Sequence, residues 1–574
     1  MPRDTTLPDA LRVSIGQAAS AGRKPVMQDF HGALVPDGTA LTLKGITLAV
    51  ADGISSSEVS GEAAETAVKT LLTDYYATPE AWTVRTAVLR VIAATNAWLH
   101  GQNGSVGDID AGRVTTLAVL VLKGHDAHVF HVGDSRVCRV AGGRVERLTE
   151  DHRVTLSTGQ SYLGRALGAA AQVEVDHRSL ALSAGDTFLL TTDGVHDHVD
   201  EGIVRDALAL PDLDRAAQAI LDAALAAGSD DNLTVQIVRV EALPAGEGEL
   251  SPEIADLPVP PLPRAGDVLD GFRIVRPVQV TARSHVFRAV APDGAAVALK
   301  IPASDLTQDL RALRRFAFEE WIARRIASPH VVAAGPASER RSGLYVVTGW
   351  VEGTTLRQWM TDHPRPAFEE VRGIVEQVAT GLRALHRREM IHQDLRPENV
   401  MLDRDGTAKL IDLGSVSVAG VEEAAPGLLG AMPGTFQYTA PEYLSGDAVS
   451  WRSDQYALGV LAYEMLTGRL PYGAQVARIR SRQDQRRLRY ETARDDRSGV
   501  PDWIDAALRR AVHPDPLRRY DALSEFLADL RRPGAGWTAG RHVPLAERNP
   551  VRFWQGVAAA LAVLCVVLAA RLGG

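Results

Sequence analysis

"IHQDLRPENVML", Ile391 to Leu402, sets a run of polar side chains between Ile391 and the apolar Val400, Met401 and Leu402. Alone it is a charged loop, and any one Asp or Arg in it reads as surface charge. Its neighbours give it weight. Upstream, "AVALKIP" (Ala296–Pro302) is a strand-like run presenting Lys300. "RRFAFEEWIARRIASPHVV" (Arg314–Val332) is an amphipathic helix carrying Glu319 and Glu320. Downstream come "AKLIDLGS" (Ala408–Ser415), "GTFQYTAPE" (Gly434–Glu442) and "SDQYALGVLAYEMLTGRLPY" (Ser453–Tyr472).

This ordered series resembles the Ser/Thr protein kinases from about Phe272 to Leu530, whose loop usually reads H-R-D-L-K-P-E-N. Phosphoryl transfer is mainly positioning and charge stabilisation. The resemblance implies that Lys300 holds the α/β-phosphates of ATP and pairs with Glu319; Glu320 is the fallback, one residue out of register. It places Ala298 in the ATP site, makes Asp394 the acceptor of the substrate hydroxyl proton, and gives Asn399 and Asp412 to Mg²⁺. Arg396 keeps the positive charge facing the γ-phosphate, Leu413 fills the socket of the usual Phe, and Asp454 and Arg519 match the structural acid and base of the large lobe. Gln393 replaces the Arg that pairs with a phosphorylated activation segment, and a neutral side chain stabilises such a phosphate poorly. Counting back from "VFRA" (Val286–Ala289), the three glycines of the phosphate-covering loop fall on Gln279, Thr281 and Ser284. Without glycine the backbone approaches phosphate less closely, so nucleotide binding is expected to be loose or to shift to Arg283, Ser284 and His285.

The front half repeats one design. "GITLAVADGISSS" (Gly45–Ser57) and "DTFLLTTDGVHD" (Asp186–Asp197) are apolar runs ending in Asp-Gly, and "SDDNLTVQIVRV" (Ser229–Val240) sets acids just before an apolar strand. Strands ending in Asp can converge carboxylates on one sheet edge, where Mg²⁺ or Mn²⁺ finds oxygen ligands. Each Asp-Gly alone is as readily a turn. With "MQD", "TTLAVLVL", "HVGDSRVCRV", "LTEDH", "GRALG" and "DNLTV", the order resembles the type 2C metal-dependent protein phosphatases from about Gly16 to Val240. The resemblance implies a two-sheet sandwich flanked by helices, metal-ligand roles for Asp52, the Gly53 carbonyl, Asp193 and Asp231, and Asp29 in the same cluster. Lys24, with Arg23 beside it, stands at the usual phosphate-binding Arg and lacks the bidentate fork. His131, His152 and His196 match no usual zinc spacing and are read as structural.

The chain of 574 residues is too long for one core. It divides into a phosphatase-like domain (10–241), a Pro-rich linker (242–267), a kinase-like domain (268–532), a basic juxtamembrane segment (533–552) and a transmembrane helix (553–572). The fold class expected is α+β multidomain: a helix-flanked β-sandwich, then a two-lobed kinase fold, then one membrane span. "FWQGVAAALAVLCVVLAA" (Phe553–Ala570) would span about 27 Å as a helix, and Arg541, Arg548 and Arg552 before it favour cytoplasmic domains on a tail-anchored protein of a bacterial inner membrane. A net charge of -9 argues against a nucleic-acid partner, and two distant cysteines against a disulfide framework. The chain resembles bacterial fused kinase–phosphatases, which implies phosphoprotein substrates, ATP, and action of the phosphatase on its own kinase. Two other readings stay open: a phosphatase governed by a nucleotide-binding pseudokinase, and a non-enzymatic membrane scaffold.

Overall fold

The computed structural model describes residues 10–104, 109–155, 161–244, 253–281, 283–338, 341–428, 437–494 and 499–533, with 554, 555 and 558. In the front half, one sheet orders the strands Arg12–Ser20, Leu233–Ala242, Thr187–Thr191, Arg136–Ala141 and Arg144–Arg147. A second orders Asp176–Ala181, Asp126–Val132, Leu117–Lys123, Ile46–Asp52 and Asp29–Leu34. The strands Ile46–Asp52 and Leu117–Lys123 are almost unbroken apolar runs, and both of their faces are covered. Ile46, Leu48 and Val50 pack between the sheets with Val137, Phe188 and Val238. Ala49 and Ala51 pack outward against Ala63, Ala64 and Val68 of the helix Ser60–Ala77. The helix Leu213–Ala226 covers the other sheet through Ala216, Ala217 and Ile220.

The back half has two lobes. An antiparallel sheet of Val268–Leu269, Phe272–Val280, Ser284–Val290, Ala296–Pro302 and Val346–Gly349 is joined by the helix Leu310–Arg325, whose N-terminal N–H of Ala312 is capped by Asp309. The larger lobe is built on the helices Phe368–His386, Trp451–Thr467, Asp502–Ala511 and Leu523–Arg531. Arg519 and Glu442, both fully buried, pair at 2.7 Å and tie this lobe together.

The Pro-rich linker is more than a spacer. Its Glu253–Asp256 turn buries Ala255 against Leu313, Phe316 and Leu344, and Pro258 accepts the Leu344 N–H at 2.8 Å. The apolar Ile254, Leu257 and Val259 among its acids and prolines give the small lobe a surface to hold. The two halves also touch, since Leu43 and Ala81 of the front domain are buried in the apolar cluster of the large lobe. Among the described residues no helix is long and apolar enough to cross a membrane. Apart from 533, 554, 555 and 558, the expected juxtamembrane segment and span lie outside the described residues.

Candidate active sites

Pairing of Asp29–Leu34 with Ile46–Asp52 sets Asp29 directly opposite Asp52. Asp29 is 5% exposed. Its Oδ2 accepts from the Thr192 and Thr234 hydroxyls, each at 2.8 Å, and its Oδ1 is buried with no partner. Asp193 opens the short helix Asp193–His196; Oδ2 accepts from Arg153 at 2.8 Å, and Oδ1 is again buried and unpartnered. Asp231, just ahead of the strand Leu233–Ala242, is paired with Lys24, which also donates to the Ser55 hydroxyl at 2.6 Å. Arg23 lies exposed beside Lys24. Gly53 follows Asp52 where a Cβ would come within 2.6 Å of the Ser60 backbone.

The corner is crowded with like charge. Burial pushes Asp29 up to about 6. Burial, with the charges of Asp29, Asp193, Asp134 and Asp231, lifts Asp52 well above the usual carboxylate range. Asp193 is raised by burial, Asp134 and Asp231, against the pull of Arg153. Buried carboxylate oxygens without donors, among carboxylates that repel one another, fit hard divalent cations that take oxygen ligands. Two residues here were not singled out from the sequence. Asp134 follows the buried strand Asp126–Val132, a strand-then-acid signal like that of Asp52. Arg153 carries no such signal, yet its guanidinium bridges Asp134 at 2.6 Å and Asp193 at 2.8 Å.

Among the described residues, the one group of three whose ligand atoms all lie within 4.8 Å of one another is His131, His152 and Asp176. It is a poor metal site. His152 Nδ1 accepts the Gly133 N–H at 3.1 Å, so the ring proton sits on Nε2, 2.9 Å from Asp176. His152 then has no ring lone pair left for an ion, which leaves His131 and Asp176 short of a third ligand. His196 bonds the Thr191 hydroxyl at 3.1 Å, and burial holds it down to about 3.

In the back domain Lys300 projects from Ala296–Pro302 to Glu319 at 2.8 Å and Asp412 at 3.1 Å. Glu320 turns to Arg324 at 2.6 Å and Arg341 at 2.9 Å, which settles the register of the helix. Burial works to raise Asp412, but the Lys300 ammonium and the Gly414 N–H overcome it and hold it at about 2. Burial raises Asp394, against His392, Arg396 and Asn399. Asn399 Nδ2 donates to the Asp394 carbonyl at 2.8 Å and to its carboxylate at 3.1 Å. Arg396 is tied to Glu398 at 2.7 Å. Ala298 lies two residues before Lys300, opposite Thr348. Gln393 has a φ of 65°, a left-handed backbone that costs about 1–3 kcal/mol for such a residue. Asp454 holds it there by accepting the N–H groups of His392 at 2.9 Å and Gln393 at 3.0 Å.

The loop without glycines is closed by one side chain. Thr281 Oγ1 accepts the N–H of Arg283 at 3.2 Å and of Ser284 at 3.0 Å, the groups a glycine loop would turn to phosphate. Ser284, expected to offer its hydroxyl to nucleotide, is instead 3% exposed and sits opposite Pro302 in the sheet.

The family description of the protein kinase domain matches residues 282–527, and that of protein phosphatase 2C matches residues 18–233. Serine/threonine-protein kinase PrkC of Bacillus subtilis (strain 168) is 28% identical over 237 residues, 41% of this chain and 36% of PrkC. Serine/threonine-protein kinase PknB of Mycobacterium leprae (strain TN) is 31% identical over 253 residues, 42% of this chain and 39% of PknB. The chain thus spans well under half the length of these curated relatives. Among solved structures, the PPM Ser-Thr phosphatase MsPP from Mycobacterium smegmatis, in complex with cacodylate, is 26% identical, with a TM-score of 0.34 over 40% of this chain and 98% of its own. The chain carries a phosphatase 2C-like domain fused, in one polypeptide, to a protein kinase domain.

Proposed function

We propose that the protein is a bifunctional enzyme that removes phosphate from Ser/Thr phosphoproteins with its front domain and adds it from ATP with its back domain. The observation that carries the reading is the assembled Lys300–Glu319–Asp412 set in the back domain, standing in one chain with a corner of mutually repelling carboxylates in which one buried oxygen each of Asp29 and Asp193 has no donor. In the corner, Asp52, the Gly53 carbonyl, Asp193 and Asp231 would hold two Mn²⁺ or Mg²⁺ ions. When bound, such ions supply an activated water and charge for the phosphate oxygens. Lys24 and Arg23 stand at the mouth with positive charge for the phosphate, and Arg153 fixes the Asp193 and Asp134 carboxylates in place.

In the back cleft Asp394 takes the proton of the acceptor hydroxyl, and Asn399 aims it. Lys300 is held by Glu319 for the α/β-phosphates, beside Ala298 in the ATP site. Asn399 and Asp412 would hold Mg²⁺, and Arg396 adds charge near the transferred group. The apolar run 553–572 anchors the chain, with both domains on the cytoplasmic side of a bacterial inner membrane.

Purified protein incubated with labelled ATP separates the readings. Asp52→Asn should accumulate label on an acceptor protein because removal stops. Asp394→Asn should incorporate roughly 10²–10⁴-fold less. Equal labelling in wild type and Asp394→Asn would leave a phosphatase joined to a pseudokinase. Hydrolysis of p-nitrophenyl phosphate that survives complete chelation would remove the two-metal mechanism. A chain lacking 553–574 should leave the membrane fraction with both activities intact.

A further inference from the structure

The contact between the domains is built from charged groups and close backbone approach. Gly420 lies in the short helix Ala419–Ala424, which follows the Asp412–Gly414 turn and opens the activation segment. Its N–H donates to the Ala81 carbonyl of the front domain at 2.9 Å. A Cβ at Gly420 would come within 2.7 Å of the Glu80 and Trp82 carbonyl oxygens, so the glycine is accounted for by the other domain. Lys123, at the end of Leu117–Lys123, is fully buried and donates to the Gly420 carbonyl at 2.8 Å and to Glu423 at 2.9 Å. A buried ammonium is costly unless so paired. Glu423 also accepts the Val84 N–H at 2.9 Å, where the helix Val84–Asn103 begins and an anion is favoured.

The same stretch reaches two more parts of the kinase domain. Glu389, in the turn just ahead of the catalytic loop, accepts the Thr83 N–H at 2.7 Å and the Thr86 hydroxyl at 2.6 Å. Glu80 accepts from Arg325 at 2.6 Å, at the end of the helix that carries Glu319. Residues 80–86 and Lys123 thus hold at once the activation segment, the approach to the catalytic loop and the Glu319 helix. These parts must be aligned for phosphoryl transfer, and Lys300–Glu319 is closed while they are held.

We propose that the phosphatase domain is an activating clamp on the kinase domain of its own chain, ordering the activation segment where Gln393 cannot do so through a phosphate. The proposal rests on the back domain transferring phosphate. The acidic corner takes no part, because it lies at the other end of the same strands: Ile46–Asp52 begins beside Leu122 and ends at Asp52.

The test uses the full chain with Glu80→Arg, and with Glu80→Arg combined with Arg325→Glu. Transfer from ATP to an acceptor protein should fall about five- to a hundredfold in the single variant, the range of ordinary coupling between sites, and should recover in the charge-swapped pair. Amide hydrogen exchange over 419–424 should quicken in the first and slow again in the second. Hydrolysis of p-nitrophenyl phosphate should stay at the wild-type rate in both, which also reports that the front domain is folded. A single variant that transfers as fast as wild type makes the contact passive and overturns the clamp. One that transfers faster makes it inhibitory and overturns it equally. A wild-type chain with no transfer at all would overturn the kinase reading and the activating role with it, while exchange over 419–424 would show whether the contact itself stands.

Discussion

The cleft of the back domain and the corner of the front domain both gather buried acids, and they neutralise them differently. In the cleft, Lys300 stands between Glu319 and Asp412, and Asn399 braces Asp394. In the corner, Asp29 and Asp52 face each other across paired strands, and oxygens of Asp29 and Asp193 have no donor. The first site carries an ammonium of its own between two acids and awaits Mg²⁺ only together with nucleotide. The second leaves positive charge to be supplied from outside, with Arg153 and Lys24 covering part of the deficit. A site closed by its own residues can be damaged only through the chain, whereas a site left open responds to the solution.

Lys300→Met attacks the closed site. It leaves Glu319, whose side chain is 3% exposed, without its cation, and should cost about 3–5 kcal/mol of stability, read from urea denaturation. A loss under about 1 kcal/mol would place the pair with weak surface bridges and erase the contrast. The open site should respond to pH. Asp29 has a folded value of about 6 against an ordinary 3.8. Below pH 4 both folded and unfolded chains hold the proton. Between pH 4 and 6 the unfolded chain has released it and the folded one has not, so stability of the chelated protein should fall as pH rises through this window, by up to about 3 kcal/mol. Asp29→Asn should reduce that slope without abolishing it, since Asp52 and Asp193 are raised too, and a slope of opposite sign would remove the argument.

Mn²⁺ at a hundredfold excess over its dissociation constant should return about 2.7 kcal/mol to the front domain, visible as a higher melting temperature that Asp52→Asn loses. The back domain's melting should be unmoved by Mn²⁺ without ATP. The smallest effect concerns the nucleotide loop. Thr281→Gly frees the N–H groups of Arg283 and Ser284 and should tighten ATP binding by about 1 kcal/mol, the net value of one hydrogen bond. Calorimetry that shows no gain would mean those N–H groups face away from the nucleotide.

Much of this was legible in the sequence, because apolar runs ending in acids announce buried strands with polar tips. Asp52 and Asp193 end such runs and Asp231 precedes one, a pattern that singles them out only through the order of the motifs around them, and Asp134 could have been read by the same rule. Arg153 could not, since a lone Arg after "LTEDH" has no periodic or positional mark of its three aspartate partners. The register of the Glu319 helix was open by one residue until Lys300 and Arg341 took one glutamate each. Thr281 shows why the missing glycines were only half understood: their absence is written in the chain, but the hydroxyl that occupies the vacated N–H groups is a matter of hairpin geometry. Lys123 was hidden for a different reason. A lysine closing an apolar strand reads as a solvated end, and only a second domain brings it Gly420 and Glu423.

The placement of Lys123 and Asp52 at opposite ends of adjoining strands sets the kinetic order of any self-correction. Seven residues of strand separate the clamped helix from the acidic corner, about 20–24 Å. On the proposed reading, a phosphate on Ser417, two residues before that helix, would be out of reach of the acidic corner of its own molecule. Its removal would then fall to another copy, in a bimolecular reaction whose initial rate rises with the square of protein concentration. Crowding of copies on a shared surface, rather than any change within one chain, would then set how long such a mark persists.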